Sequence, residues 1–199
     1  DDRCSSVFSF LNLLFNSVYH IFLSCYNVLM NITYRKAENK DLNQIMKVIS
    51  DAQATLKADG VDQWQDGFPN KNVILEDMKV RTSFVILVDD VVSGFFVLAF
   101  GIEPDYVNPV RGAFKSNDPY AAIHRTAFSK DCKGKGLSHF MFQSAFAEIK
   151  KAGVGYARID THHDNKRMRH IIAREGFEET AVIVLSFNGD ERIAAEKKL

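Results

Sequence analysis

Lysine and glycine alternate in a short loop, Lys133 to Gly136, between a predicted strand and a predicted helix. Glycine has no Cβ that would hold an anion away from the backbone amides. The first amides of a helix lack partners within the helix, and the helix dipole favours negative charge beside them. The lysines add positive charge at the same place. This spacing predicts a phosphate-binding turn; the alternative is an ordinary strand–helix connection with solvated lysines.

The loop fits neither of two common nucleotide-binding patterns. A P-loop requires G-x-x-x-x-G-K-[ST], which the loop does not contain. The dinucleotide fingerprint G-x-G-x-x-G would need a glycine where this chain has His139. The predicted ligand is therefore a phosphate-bearing molecule held in some other way.

Candidates for proton transfer alternate along a second predicted strand, residues 156–163. Arg158, Asp160 and His162 share one face of it, because side chains two residues apart in a strand point the same way. Histidine titrates near neutrality and suits a general base, directly or through a water. His124, on the strand before the glycine loop, is another candidate. The competing interpretation is an Asp160–Arg158 ion pair with no catalytic role.

The elements that would position these residues alternate along the chain. Hydrophobic periodicity predicts the order β-α-α-β-β-β-α-β-α-β. The predicted strands cover residues 31–37, 83–100 (a hairpin), 120–128, 156–163 and 180–187. The predicted helices begin near Asn39 (a candidate N-cap), Asn72, Leu137 and Asp164. This pattern is typical of an α/β fold.

Two long polar loops remain, 58–71 and 101–119. Long loops inside a compact domain are more often functional than idle. Trp64 and Phe68 lie in the first loop and are candidates for a pocket wall, although loop aromatics more often cover an edge of the core.

Length and composition set outer limits on function. The chain has 199 residues, a formal net charge of +0 and 46% hydrophobic residues, which is typical of one globular domain. Its basic residues form no domain-wide patch, so no nucleic-acid partner is expected. Three scattered cysteines (Cys4, Cys25 and Cys132) suit neither a metal cluster nor a disulfide framework. We therefore expect no metal and a reducing, cytoplasmic location.

The two ends of the chain differ from its centre. No charged residue occurs between Cys4 and Tyr34, and this stretch is long enough to span a bilayer, but asparagines and a histidine interrupt it. We expect residues 1–29 to lie upstream of the true start and the domain to cover 30–188, without a membrane partner; a weak membrane anchor is the alternative. Residues 189–199 are expected to form a charged, frayed tail.

Two motifs, taken together, resemble those of one superfamily. Lys133–Ser138 is similar to the pattern Gln/Arg-x-x-Gly-x-Gly/Ala, with lysine at its first position and serine at its last. The pattern Asn-x-x-Ala-x-x-Leu-Tyr-x-x-x-Gly-Phe is matched at Asn165, Ile171, Gly176 and Phe177. Both patterns belong to the GNAT superfamily of acyl-CoA-dependent N-acyltransferases, whose order of elements resembles this chain's. The chain is also similar to small bacterial members, many without an assigned substrate.

The resemblance implies a single GNAT-like domain, α/β (α+β) in class, with a central mixed, mostly antiparallel twisted sheet flanked by helices. It implies that acetyl-CoA is the co-substrate. It also implies that the chain is an N-acetyltransferase, which belongs to the acyltransferases transferring groups other than aminoacyl groups. The acetyl group would pass directly to a primary amine in a ternary complex. The acceptor would be a small-molecule or protein amine, and a homodimer is allowed. The alternative is a non-catalytic acyl-CoA-binding or sensing module on the same fold.

The resemblance also assigns residues to the site. Acetyl-CoA would be bound by Thr126, Ala127, Phe128, Lys133, Gly134, Lys135, Gly136, Leu137, Ser138 and Asn165. The Phe128 backbone N–H would stabilise charge on the thioester oxygen. The candidates for catalytic proton transfer are His162, Asp160 and His124, and those for the acceptor pocket are Trp64, Phe68 and Tyr106.

One residue of the second motif departs from the superfamily. Many relatives carry a tyrosine that protonates the leaving thiolate, and Ile172 stands at that position here. Isoleucine has no proton to donate. The proton would then come from Tyr120, His124, Tyr106 or water.

Overall fold

The computed structural model describes residues 30–199, and the expectations for residues 1–29 lie outside that range. Within it, eight strands form one sheet and four α-helices pack on the sheet. The strands are β1 (Ile32–Lys36), β2 (Thr82–Val88), β3 (Val91–Phe100), β4 (Arg111–Gly112), β5 (Tyr120–Phe128), β6 (Tyr156–Thr161), β7 (Glu178–Val184) and β8 (Glu191–Lys198). The helices are α1 (Leu42–Ala58), α2 (Lys71–Val80), α3 (Leu137–Lys151) and α4 (Lys166–Arg174).

The strands are arranged in the order β1-β2-β3-β5-β6-β8-β7-β4. Every neighbouring pair is antiparallel except β5 and β6, which are parallel. The expected mixed, mostly antiparallel sheet flanked by helices is therefore confirmed. The second predicted loop contains the short strand β4, which pairs with β7.

Alternate residues of β3 face two hydrophobic cores, one on each side of the sheet. Phe96 and Leu98 belong to the core that includes residues of α3 and α4, and Phe95 and Val97 to the core that includes residues of α1 and α2. All four side chains are fully buried. Burial on both faces explains why this strand is an almost unbroken apolar run.

The predicted hairpin between β2 and β3 turns at Asp89 and Asp90, which have φ angles of 50° and 65°. Left-handed conformations at both central residues are those of a type I′ turn, whose twist suits a two-residue hairpin. Val88 and Val91 pair directly across the turn. The hairpin prediction is confirmed.

Helix α1 begins at Leu42, so the prediction that Asn39 caps it is wrong. Asn39–Asp41 form a short 3-10 turn instead. The Asp41 carboxylate accepts the Glu38 amide at 2.8 Å and both terminal nitrogens of Arg35 at 2.6 and 2.8 Å. A buried carboxylate with these donors holds the start of the helical segment in place of the asparagine.

The expectation of a frayed C-terminal tail is wrong, because β8 lies inside the sheet between β6 and β7. Ala194 and Ala195 are fully buried. The charged residues of the strand are also paired: Glu196 lies opposite Arg158, and Arg192 contacts Asp190 at 3.0 Å. Paired charges allow a charge-rich strand to be buried. The domain therefore extends past residue 188.

Strands β5 and β6 pair only where they begin, through Tyr120–Ala122 and Tyr156–Arg158. β5 continues to Phe128 and β6 to Thr161 without further pairing to each other. The two strands therefore separate toward their C-terminal ends and leave a gap in the centre of the sheet. No helix of residues 30–199 combines the length and the apolar character needed to cross a membrane.

Candidate active site

A cleft of about 1380 Å³ opens at the gap between β5 and β6. Residues of α1 line one side of it and residues of α4 line the other. We call the part lined by residues 129–138 the loop end, and the part lined by Trp64, Phe68 and Phe187 the aromatic end. An ion pair between Asp59 and Arg167, at 2.8 Å, joins the two sides.

The loop end offers backbone donors. Gly134 and Gly136 have φ angles of +77° and +76°, and a Cβ added to either would meet nothing within 4 Å. At the start of α3, the Phe140 amide donates a helical hydrogen bond to the Gly136 carbonyl at 3.2 Å. The amides of Leu137 and Ser138 precede that bond, so they have no partner within the helix. The geometry suits an anion held by amides at the start of α3.

Positive side chains surround this helix start. Lys130 and Lys133 line the cleft. Lys135 does not line it, and the Lys135 amide donates to the Cys132 carbonyl at 3.2 Å. Sequence reasoning missed Arg174, whose Nη2 donates to Ser138 Oγ at 3.1 Å from the far end of α4. Its place beside the loop depends on how α4 packs next to α3, which no local pattern reveals.

The edge of β5 presents a free donor to the gap. The Ser129 amide donates to the Ser93 carbonyl of the neighbouring strand at 2.9 Å. Backbone donors alternate in direction along a strand, so the Phe128 N–H points away from β3 and into the gap. Thr126 and Ala127 line the same stretch of the cleft.

His124 lies on the cleft floor between two carboxylates. Its Nε2 is 3.6 Å from Glu103 Oε1, and its Nδ1 is 4.0 Å from Asp160 Oδ1. Nε2 is buried and has no hydrogen-bond partner among the described residues. The Tyr106 hydroxyl donates to Asp160 Oδ1 at 2.7 Å. Two of the three predicted proton-transfer residues therefore lie side by side, and Glu103, which sequence reasoning missed, joins them.

Burial and neighbouring charges set the ionisation of this cluster. Burial raises the pKa of Tyr106 well above its ordinary value, and the Asp160 carboxylate raises it further. Burial acts to raise the pKa of Glu103, but His124 and the guanidinium groups of Arg81 and Arg125 outweigh it and lower that pKa below the usual range. At neutral pH the cluster therefore holds a protonated tyrosine and an ionised glutamate.

His162 does not line the cleft. Its ring stacks on His163 with centroids 4.2 Å apart, and its Nδ1 accepts the Asp164 amide at 3.2 Å. Burial, together with the charges of His163 and Arg192, lowers the pKa of His162, which keeps the ring neutral at pH 7. The structure therefore brings together His124 and Asp160 but leaves His162 outside.

The competing interpretation, an Asp160–Arg158 ion pair, is wrong. Arg158 instead packs between the rings of Phe114 and Tyr120, with its Nε 3.6 Å from Glu196 Oε2. Its guanidinium is therefore neutralised by β8, and the Asp160 carboxylate stays available to the cluster.

Two residues of the second motif have structural roles. Asn165 caps α4 by accepting the Met168 amide at 3.0 Å, and its Nδ2 donates to Gln63 at 3.0 Å, although the residue also lines the cleft. Ile172 is 1% exposed, lies in the core with Phe177, and does not line the cleft. A tyrosine at position 172 would have to displace packed core side chains.

The aromatic end joins segments that are distant in sequence. Phe68 stacks on Phe187 with centroids 5.0 Å apart, and the Arg125 guanidinium lies 4.7 Å from the Phe68 ring centroid. Trp64 also lines this end. Phe187, which the sequence suggests is the end of a strand, lies in the β7–β8 turn instead. Tyr106 also lines the cleft, but it is only 3% exposed and its hydroxyl is bonded to Asp160.

Comparisons with known proteins agree with this architecture. Residues 48–177 match the acetyltransferase (GNAT) family. The chain is similar to a GNAT-family acetyltransferase from Streptococcus agalactiae, with 28% identity, a TM-score of 0.75, and coverage of 84% of this chain and 95% of that one. No curated protein sequence matches significantly.

Two further solved structures share the fold. A GNAT-family acetyltransferase from Listeria monocytogenes has 20% identity, a TM-score of 0.64, and coverage of 84% of this chain and 95% of that one. The PaiA N-acetyltransferase from Thermoplasma acidophilum was solved in complex with coenzyme A. It has 17% identity, a TM-score of 0.60, and coverage of 85% of this chain and 99% of that one.

Proposed function

Because this chain belongs to the acetyltransferase (GNAT) family, we propose that it transfers an acetyl group from acetyl-CoA to a primary amine by direct attack in a ternary complex. The acceptor is a small-molecule or protein amine. The observation that supports this most strongly is the separation of β5 from β6, which leaves a cleft with an anion-suited loop at one end and His124 on its floor.

The loop end fits the pyrophosphate of acetyl-CoA. The space beside Gly134 and Gly136 is open, so phosphate oxygens can reach the amides that begin α3. Lys133 supplies positive charge beside that helix start, and the Arg174 guanidinium lies at Ser138, paired with Glu175. The free edge of β5 continues from the loop toward His124 and suits the amide groups of the pantetheine arm.

The reaction forms one bond and breaks another. The amine nitrogen attacks the thioester carbonyl carbon, a C–N bond forms, the C–S bond breaks, and CoA leaves as a thiolate. The Phe128 N–H donates to the carbonyl oxygen as that oxygen gains charge. His124 accepts the amine's proton, directly or through a water. Glu103 and Asp160 on either side of the ring stabilise the positive charge that His124 acquires.

The thiolate then needs a proton. Ile172 has none to give, and the Tyr106 hydroxyl, held by Asp160, has a raised pKa that makes it a poor donor. The Tyr120 hydroxyl accepts the Glu103 amide at 3.0 Å and lies next to this cluster. Protonated His124 lies on the cleft floor and is the nearest acid that the reaction itself generates. Return of its proton to the thiolate leaves the enzyme ready for another cycle.

The test has two stages. Calorimetry with acetyl-CoA measures binding, and release of the CoA thiol is then followed across a broad panel of primary amines. Amine-dependent thiol release supports the transferase. Tight binding of acetyl-CoA with no turnover across the panel would instead identify a non-catalytic acyl-CoA-binding or sensing module.

The proposal includes a reducing, cytoplasmic setting without a nucleic-acid partner. Cys132 is a buried free thiol, which is compatible with such a setting. A homodimer is also allowed, and light scattering of the purified protein measures its oligomeric state.

A further inference from the structure

The part of the cleft outside the loop end, which we count with the aromatic end, carries an excess of negative charge. Apart from the Asp59–Arg167 ion pair, six carboxylates line it against three guanidinium groups, which is a formal excess of three negative charges. The carboxylates are those of Asp62, Asp66, Glu103, Asp105, Asp160 and Asp190, and the guanidinium groups are those of Arg81, Arg125 and Arg192. The loop end has the opposite balance, because Lys130 and Lys133 line it against Asp51, and Arg174, which also lines it, is paired with Glu175 at 2.7 Å. The cleft is therefore polarised along its length.

Each of the three guanidinium groups already has a carboxylate partner. Arg81 contacts Glu103 at 3.1 Å, Arg125 contacts Asp77 at 3.0 Å, and Arg192 contacts Asp190 at 3.0 Å. An acceptor that carried a carboxylate would have to compete with these pairs for a cation.

Four of the carboxylates at this end have no such partner. Among residues 30–199, no lysine or arginine nitrogen lies within 4.0 Å of Asp62, Asp66, Asp105 or Asp160. Concentrated charge of one sign in a cleft attracts ligands of the opposite sign. The aromatic end therefore favours a cation.

Two of these carboxylates flank the aromatic pair. Asp66 Oδ1 accepts the Phe68 amide at 3.1 Å, and Asp105 Oδ1 accepts the Ser186 amide, next to Phe187, at 3.1 Å. Each carboxylate uses one oxygen in this way, which leaves the other for a ligand. Phe187 is 56% exposed, so its ring is accessible. The Arg125 guanidinium and the Phe187 ring already lie against Phe68, so an ammonium group at this place gains from carboxylate oxygens and from the exposed face of Phe187.

The reacting amine does not account for this charge. It begins its attack on the thioester as a neutral amine and passes its proton to His124, beside Glu103 and Asp160, so it provides no lasting positive charge for Asp66 and Asp105. A second cation, elsewhere in the acceptor, keeps that interaction throughout the reaction. The aromatic side chains between the carboxylates suit an apolar spacer that joins the two nitrogens.

We infer that the acceptor is a diamine or polyamine, which presents one amine at His124 and a second, charged ammonium group at the Phe68–Phe187 pair beside Asp66 and Asp105. This inference rests on the proposed acetyl transfer. It adds the class of acceptor to it.

Three amines built on the same six-carbon chain test the inference. 1,6-Diaminohexane, hexylamine and 6-aminohexanoate differ only at the sixth carbon, which carries an ammonium group, is a methyl group or is the carboxylate carbon. We expect kcat/KM from thiol release to be highest for the diamine, by about tenfold over hexylamine, because a charged contact of this kind is worth that factor. The aminohexanoate should be the poorest of the three.

Charge-removing variants locate the effect. Asp66→Asn and Asp105→Asn keep an oxygen that can accept the Phe68 and Ser186 amides but remove the negative charge. Each should raise KM for the diamine several-fold and leave KM for hexylamine unchanged. Asp118→Asn is the matched control, since Asp118 is exposed on the same loop as Asp105 but does not line the cleft. The Asp118→Asn substitution should change KM for neither substrate.

The outcomes separate this inference from the proposed function. Equal kcat/KM for hexylamine and the diamine, or better turnover of the aminohexanoate or of a peptide N-terminus, would overturn the diamine class while acetyl transfer stands. Unchanged diamine kinetics in both aspartate variants would also overturn it. Absence of turnover with every amine in a broad panel, despite acetyl-CoA binding, would overturn the proposed function and this inference together.

Discussion

At the scale of single residues, the proposed chemistry depends on His124 and not on His162. His124 lines the cleft between Glu103 and Asp160, whereas His162 stacks on His163 away from it. We expect His124→Gln to lower kcat by about 10²–10³-fold, because a positioned general base contributes a factor of this size. Acetyl-CoA affinity, measured by calorimetry, should not change.

His162→Gln is the matched control for that substitution. It removes the same titratable group from the same predicted set, but at a position off the cleft. Its kcat should stay within about threefold of the parent. A larger loss in His162→Gln than in His124→Gln would reverse the assignment of the base.

Asp41 supports a prediction about stability and pH. Hydrogen bonds from Arg35 lower the pKa of the Asp41 carboxyl, and they outweigh burial, which acts in the opposite direction. A carboxyl with a lowered folded-state pKa stabilises the protein above its unfolded pKa, and this stabilisation is lost as the pH falls through the folded pKa. We expect Asp41→Asn to reduce the free energy of unfolding by about 1–3 kcal/mol at neutral pH.

The difference between Asp41→Asn and the parent should shrink at about pH 3, below the ordinary aspartate pKa. Urea unfolding at the two pH values measures both free energies. Glu76→Gln serves as the control. The Glu76 side chain is 61% exposed, and the substitution removes only one contact, a 3.9 Å ion pair with Lys79. A difference that stays constant with pH would mean that Asp41 acts through packing and not through its charge.

At the scale of elements, the two ends of α3 allow a controlled test of the anion site. Gly136 at its start and Gly153 after its end have φ angles of +76° and +74°, and a Cβ at either meets nothing within 4 Å. Valine should therefore cost similar stability at both, about 1–2 kcal/mol for a left-handed residue. Only Gly136→Val places a side chain where the pyrophosphate would bind.

We expect Gly136→Val to weaken acetyl-CoA binding by at least about tenfold, while Gly153→Val binds like the parent. Calorimetry with acetyl-CoA measures both affinities, and thermal unfolding confirms that the strain is matched. Equal affinities in the two variants would mean that the phosphate site is not at the start of α3.

At the scale of the whole molecule, β8 holds the second half of the sheet together. It pairs with β6 on one side and β7 on the other, and its buried alanines face the core. A chain that ends at Gly189 lacks this strand and leaves two strands unpaired in the middle of the sheet. We expect it not to fold cooperatively, because a domain is stabilised by only about 5–15 kcal/mol and the chain loses the pairing of β8 with both neighbours together with its buried side chains.

Circular dichroism and thermal unfolding of the shortened chain measure this. Cooperative unfolding within a few degrees of the parent would contradict the role of β8. Lys198→Glu, at the exposed end of the strand, is the control and should unfold like the parent.

Local patterns in the sequence determined much of this protein. The hairpin at Asp89-Asp90, the strand Tyr120–Phe128 and the glycine loop before α3 were predicted because each depends on neighbouring residues: turn conformations, period-two alternation and a helix start. The family followed from two motifs of the same kind. The sequence indicated His124 and Asp160 as candidates for proton transfer because of their residue types, but it did not show which side chains lie beside them.

Only the tertiary structure decided which distant residues meet. Glu103 beside His124, Arg174 beside Ser138 and Phe187 against Phe68 join segments from different parts of the chain. The charged strand β8 resembles a solvated tail until Arg158, on another strand, pairs with its glutamate. Such contacts depend on strand order and helix packing across the whole sheet, and neither is encoded in the spacing of residues along any one segment.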